Sequence, residues 1–104
     1  MSEYLDRMER ARAAMEQSGV HALCLSIGKD LPYLTGYSAM PLERLTMLVL
    51  PVDGSATLVV PGLEAPRVDA SVGGFEVRGW GETEDPIAVV DGLLGEANTV
   101  AIGN

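Results

Sequence analysis

Tyr33–Arg67 reads YLTGYSAMPLERLTMLVLPVDGSATLVVPGLEAPR, and the middle of this stretch settles the fold class. The run LTMLVLP from Leu45 is apolar on both faces of an extended chain, and ATLVVP from Ala56 is apolar again. Asp53 and Gly54 lie between the two. An Asp-Gly pair between β-rich runs is a strong short-range hairpin signal, so residues 44–51 and 56–60 are expected to pair antiparallel. Strands apolar on both faces need cover on both sides, which points to a sheet with helices on its faces. Pro61 and Gly62 end the second strand. Leu63 to Ala70 then suits a short helix in which Pro66 is tolerated only in the first turn.

On the amino-terminal side, Tyr4, Leu5, Met8, Ala11 and Met15 recur at helical spacing against a charged opposite face. Residues 3–18 are therefore expected to form an amphipathic helix, stopped by Gly19 in a left-handed conformation. In HALCLSI, Leu23, Leu25 and Ile27 fall on one face and Ala22, Cys24 and Ser26 on the other, as in a central strand covered on both sides. Gly28 breaks that strand. Asp30 is placed to cap a short helix over residues 30–35, with Pro32 near its start and Gly36 closing it. An exposed loop from Gly36 to Glu43 leads into the hairpin.

On the carboxyl-terminal side, Phe75 and Val77 alternate with Glu76 and Arg78, the pattern of a half-exposed edge strand. Asp85 before Pro86 caps a helix ending near Glu96, with Ile87, Val90, Leu93, Leu94 and Ala97 on its apolar face. A last short, buried strand is expected over Thr99–Ile102. The order α-β-α-β-β-α-β-α-β contains one hairpin and otherwise helical crossovers. It predicts an α/β fold, a mixed β-sheet with helices on both faces. The chain stops just after a strand and reads as cut from something longer, with an exposed apolar edge near Ile102 that self-association would cover.

A chain of 104 residues holds one domain or part of one. Its hydrophobic fraction of 47% includes only 5% aromatic residues, so aliphatic side chains must build the core. A formal net charge of -8 opposes nucleic-acid phosphates and anionic membranes, and no apolar run approaches a membrane span. The sole cysteine, Cys24, fits a reducing compartment and is read as a buried small hydrophobe. With a charged amino terminus unlike a signal peptide, the expectation is a cytoplasmic protein. His21 stands without metal-ligand partners and is read as solvated, and the glycines near positions 73 and 79 lack a dinucleotide fingerprint. Trp80, a large aromatic between two glycines, is a candidate interface anchor, the alternative being packing over its own edge strand. No nucleophile with a base, phosphate loop or metal-ligand cluster is apparent, so the residues alone give an α/β domain of open function.

The motifs taken in order go further. Tyr33, Leu34, Thr35, Gly36 and Tyr37, then Glu43 and Arg44, then Leu58, Val59, Val60 and Pro61 with Leu63 and Glu64, together resemble the amino-terminal domain of the creatinase/prolidase metallopeptidases. The similarity runs from Leu5 to Ile102 and is greatest to Xaa-Pro dipeptidases and Xaa-Pro aminopeptidases. It implies the ribonuclease H-like motif of that domain, here incomplete, with a catalytic pita-bread domain downstream of residue 104. That downstream domain would hold two divalent metals, manganese or cobalt. No catalytic or metal-binding residue carries over to this fragment, which should be inactive alone.

The resemblance also implies that the domain shapes the substrate entrance, contacts its own carboxyl-terminal catalytic domain and builds a homo-oligomer. Tyr37, Glu43 and Arg44 are then the substrate-entrance candidates. Tyr37 would stack on a prolyl ring, and Arg44 would meet a substrate carboxylate with a forked hydrogen bond. Against these stand a Tyr37 packed at the base of the loop and a purely structural pair of Glu43 and Arg44. Two further readings share the fold: a non-enzymatic binding module, as in a histone-chaperone relative, and a creatinase-like amidinohydrolase.

Overall fold

The computed structural model describes residues 3–26, 28–37, 45–69, 71, 74–95 and 97–103. Its elements follow the expected order: α1 (Glu3–Ser18), β1 (Ala22–Leu25), α2 (Asp30–Thr35), β2 (Met47–Pro51), β3 (Ala56–Pro61), a 3-10 turn (Ala65–Arg67), β4 (Phe75–Trp80), α3 (Pro86–Leu94) and β5 (Val100–Gly103). The five strands form one sheet in the order β4-β3-β2-β1-β5. β2 is antiparallel to both β1 and β3, while β3 with β4 and β1 with β5 are parallel. Four strands therefore run one way and β2 alone runs back.

Alternation along the strands divides the core in two. On one face Leu25, Leu48, Leu50, Leu58, Val60 and Phe75 pack against Met8 and Met15 of α1 and Leu31 and Leu34 of α2. On the other, Cys24, Val49, Val59 and Trp80 meet Val89, Val90, Leu93 and Leu94 of α3. Leu48 and Leu58 are direct cross-strand partners and both are fully buried. Each such leucine contributes about 2 kcal/mol of apolar burial.

Close approach requires glycine at two positions. Gly36 ends α2 at φ +76, and a Cβ there would lie 3.1 Å from the Tyr4 ring of α1. Gly79 lets the turn after β3 lie against β4, since a Cβ there would stand 3.2 Å from the Cα of Gly62.

Several local expectations change. The hairpin forms, but Gly54 keeps out of the positive-φ region that a tight two-residue turn requires. The connection is instead held from α1, where Arg12 donates to the carbonyls of Pro51 (3.4 Å) and Gly54 (2.7 Å). Asp30 is the first residue of α2 rather than its cap, and Lys29 at the cap position makes no side-chain capping bond. The expected helix over 63–70 tightens to the 3-10 turn, because Pro66 has no N–H to give to a longer ladder. Asp85 does cap α3, accepting from the Ile87 N–H at 3.0 Å.

Ile87 leaves the expected apolar face and is 68% exposed, Val89 packing in its place. β5 is an edge strand rather than a buried one. Ile102, opposite Cys24 in the register and so on the α3 side of the sheet, is 80% exposed. α3 packs over Val49, Val59 and Val100 but does not cover it.

Candidate functional site

Because β1, β3, β4 and β5 run in one direction, their carboxyl ends and the start of β2 gather at one end of the sheet. Open α/β sheets bind ligands outside the carboxyl ends of their strands, where connecting loops converge on a rigid base. Here that end carries the segment from α2 to β2, the turn after β3 and the turn after β4.

Tyr37 sits at the base of the first of these. It is only 9% exposed, and its hydroxyl donates to Glu64 Oε1 at 3.0 Å. Its backbone N–H donates to Thr35 Oγ1, whose own hydroxyl donates to the Leu31 carbonyl at 2.7 Å. The ring is thus fixed by α2 below and by the turn after β3 beside it. Burial, followed by the bond to Glu64 and its negative charge, pushes the phenol above its ordinary pKa, with Arg67 acting the other way. Tyr37 is thus packed at the point where the described part of the loop begins.

Glu43 and Arg44 lie outside the described residues. The two positions that bracket them are both tied down at this end of the sheet, Tyr37 by Glu64 and Leu45 by Trp80. The Trp80 indole N–H donates to the Leu45 carbonyl at 3.0 Å. With its ring packed against Val49 and Val59, Trp80 retains 9% of its surface. Within this domain it packs over its own edge strand as part of the core.

Two residues that sequence reasoning did not place complete the cluster. Glu64, with a side chain 16% exposed, accepts from Tyr37 on one oxygen and faces Arg67 Nε at 3.9 Å with the other. The turn that carries both is built from backbone bonds, Glu64 N–H to Pro61 and Arg67 N–H to Glu64, and is pinned to β4 by Gly62 N–H donating to Trp80. Leu63, 80% exposed, projects beside them. The sequence signal for this cluster was the Leu63 and Glu64 pair as a motif. Its contact with Tyr37, 27 positions away, has no local periodicity to announce it.

Elsewhere, the exposed His21 accepts on Nδ1 from the N–H groups of Asn98 and Thr99, which splints the start of β1 to the approach to β5. A cleft of about 430 Å3 lies between α1 and α2 at the β5 edge, with Arg7, Arg10, Leu23, Leu25 and Tyr33 in its walls. Arg7 is held there by the Tyr33 carbonyl at 2.9 Å and lies 4.3 Å from the Tyr33 ring centroid. Among the described residues no three His, Cys, Asp or Glu side chains come together in a way that could hold a metal ion. Among them, too, no helix is long and apolar enough to cross a membrane.

Comparison with known proteins bears on the domain as a whole. The family model described as the creatinase/prolidase N-terminal domain matches residues 7–104. A probable dipeptidase, PepE, of Mycobacterium tuberculosis is 38% identical over 97 residues. That match covers 90% of this chain and 26% of the relative, so the chain spans about a quarter of the length of the curated relatives it resembles. The crystal structure of dipeptidase PepE from Mycobacterium ulcerans superposes with a TM-score of 0.80 at 42% identity, covering 93% of this chain and 28% of that one. The creatinase/prolidase N-terminal domain of an X-Pro dipeptidase from Streptococcus pyogenes superposes with a TM-score of 0.82 at 27% identity, covering 94% of this chain and 76% of that one.

Proposed function

This chain belongs to the creatinase/prolidase N-terminal domain family, and from that premise we propose that it is the non-catalytic amino-terminal domain of an Xaa-Pro peptidase of dipeptidase or aminopeptidase type. Its role is to shape the substrate entrance of the complete enzyme. The observation that carries this reading is the loop cluster at the carboxyl end of the sheet, where the bond between Tyr37 and Glu64 and the bond between Trp80 and Leu45 fix both ends of the segment holding Glu43 and Arg44. A segment anchored at both ends from a rigid sheet suits the positioning of a small peptide.

Cleavage of the Xaa-Pro bond belongs, in this reading, to a downstream catalytic domain with two divalent metals, manganese or cobalt. In this reading the chain's own contribution is to bind and orient the substrate. The partners proposed are that catalytic domain, further copies of the same protein and Xaa-Pro peptides. A cytoplasmic location is part of the proposal and rests on the lone thiol of Cys24.

The test is hydrolysis of a panel of Xaa-Pro dipeptides and longer Xaa-Pro peptides by the full-length protein, with and without manganese, beside the 104-residue chain. Metal-dependent release of the first residue by the full-length protein, and none by the short chain, is the expected result. Absence of cleavage of every member under both conditions would overturn the proposal.

A further inference from the structure

The cleft at the β5 edge lies at the carboxyl ends of two adjacent parallel strands. Leu25 ends β1 and Gly103 ends β5, the two are partners in the register, and both line the cleft. Open α/β sheets take their ligands in the crevice beyond such strand ends. At about 430 Å3 the cleft falls within the size range of small-molecule sites.

Its lining is apolar below and fixed at the sides. Leu23 and Leu25 of β1 and Leu34 of α2 supply the apolar part. Arg7 of α1 donates to the Tyr33 carbonyl of α2 at 2.9 Å and lies 4.3 Å from the centre of the Tyr33 ring, which clamps the two helices together at the cleft. The same arginine donates to Glu3 at 3.2 Å, so its charge is already answered within the domain.

Two other charges in the walls are not. Arg10 follows Arg7 by one turn of α1, and Asp30 opens α2. Both side chains are exposed, and neither makes a hydrogen bond or ion pair with a described residue. The cleft therefore presents one cation from α1, one anion from α2 and an apolar lining, with the two charges cancelling. On a chain with a formal net charge of -8, a simple anion is repelled over most of the surface and a simple cation is drawn to many places on it. A molecule that carries both signs gains where the two counter-charges share one cleft.

We propose that this cleft binds a small zwitterion with an apolar body, of which a free apolar amino acid is the simplest. Arg10 receives the carboxylate, Asp30 receives the ammonium group, and the leucines take the side chain. Charge-assisted hydrogen bonds at the two ends supply the selectivity, and removal of the side chain from water supplies affinity. No wall of the cleft belongs to the Tyr37 and Glu64 cluster, so the site does not rest on the peptidase reading.

The experiment is calorimetric titration of the full-length protein with L-leucine, with N-acetyl-L-leucine, which lacks the ammonium, and with L-leucine amide, which lacks the carboxylate. It is repeated on Arg10→Gln and Asp30→Asn, which should melt close to the unaltered protein because neither side chain is bonded within the fold. Leucine is expected to bind the unaltered protein about tenfold more tightly than either derivative. Arg10→Gln should lose the preference for leucine over the amide and keep the preference over the N-acetyl compound, and Asp30→Asn should do the reverse. Independently of any variant, bound leucine should slow amide exchange in peptides covering residues 7–11 and 30–36. The proposal is overturned if leucine does not bind, if the three compounds bind alike, if both preferences survive both substitutions, or if protection lies only elsewhere. Equally tight binding of leucine blocked at both ends would also overturn it, by making the cleft a seat for peptide chain instead of a zwitterion.

Discussion

The Tyr37 hydroxyl donates to Glu64 Oε1 across 3.0 Å, joining the end of α2 to the turn after β3. This bond sets the geometry of the proposed entrance. Tyr37→Phe removes it and leaves a largely buried carboxylate oxygen without its donor, at an expected loss of roughly 1–2 kcal/mol in urea denaturation. The phenol's pKa is raised in the folded state, by burial first and by Glu64 next. Its contribution is therefore fully present below the unfolded value of about 10 and is lost as pH rises through the higher folded value. Tyr37→Phe should flatten the alkaline limb of the stability profile, and unchanged slopes above pH about 10 would count against the bond.

A second titration lies at the acid end. Glu84 is pulled down to about 2 by its hydrogen bonds to Arg78 and then to the Gly81 N–H. A depressed carboxylate stabilises the fold above its unfolded pKa of about 4.3, and that contribution is lost as pH falls toward the folded value. Glu84→Gln should give a shallower fall in melting temperature between those two values than the unaltered chain. Because the pair is exposed, raising the salt concentration should shrink the difference.

Cys24 lies in β1 between β2 and β5, is 3% exposed, and has its thiol pushed up by burial. A maleimide should label it slowly in the folded chain and rapidly in urea, with the native rate following the opening of the sheet. Cys24→Ala should be tolerated better than Cys24→Ser, whose hydroxyl would be buried at a cost of about 1–3 kcal/mol unless partnered. Fast labelling without denaturant would show that the sheet is open there.

Ile102, 80% exposed on edge strand β5, and Ile87, 68% exposed at the start of α3, leave apolar surface on this chain. The 104-residue chain should self-associate to cover it. Sedimentation at high concentration should show a species larger than a monomer, and Ile102→Lys should shift it to monomer. A monomer throughout the concentration range would contradict this.

What the sequence made legible was local. The periodicity of α1, the two doubly apolar runs with Asp53 and Gly54 between them, and the cap at Asp85 each act over a few residues, and each element appears where it was read. The misreadings arise where distant chain decides. The hairpin connection is held by Arg12, some 42 positions from Gly54, so the Asp-Gly pair marked the turn without setting its geometry. Trp80 reads from the sequence with packing over its own strand as one alternative, but its bond to the Leu45 carbonyl, 35 positions away, has no local signal. Ile87 sits at the start of α3, where helical spacing alone could not show that Val89 rather than Ile87 packs on the sheet. At the candidate site, Tyr37 reads as an entrance residue with packing at the loop base as the alternative, whereas its contact with Glu64 comes only from the turn after β3 reaching the end of α2.

The claim that this domain forms the substrate entrance is tested most directly by amide hydrogen exchange on the full-length protein, with and without a slowly hydrolysed Xaa-Pro analogue. Bound analogue is expected to slow exchange in peptides covering residues 36–46 and 62–69 and to leave α3, residues 86–94, unchanged. Protection confined to regions outside residues 36–69 would contradict the claim.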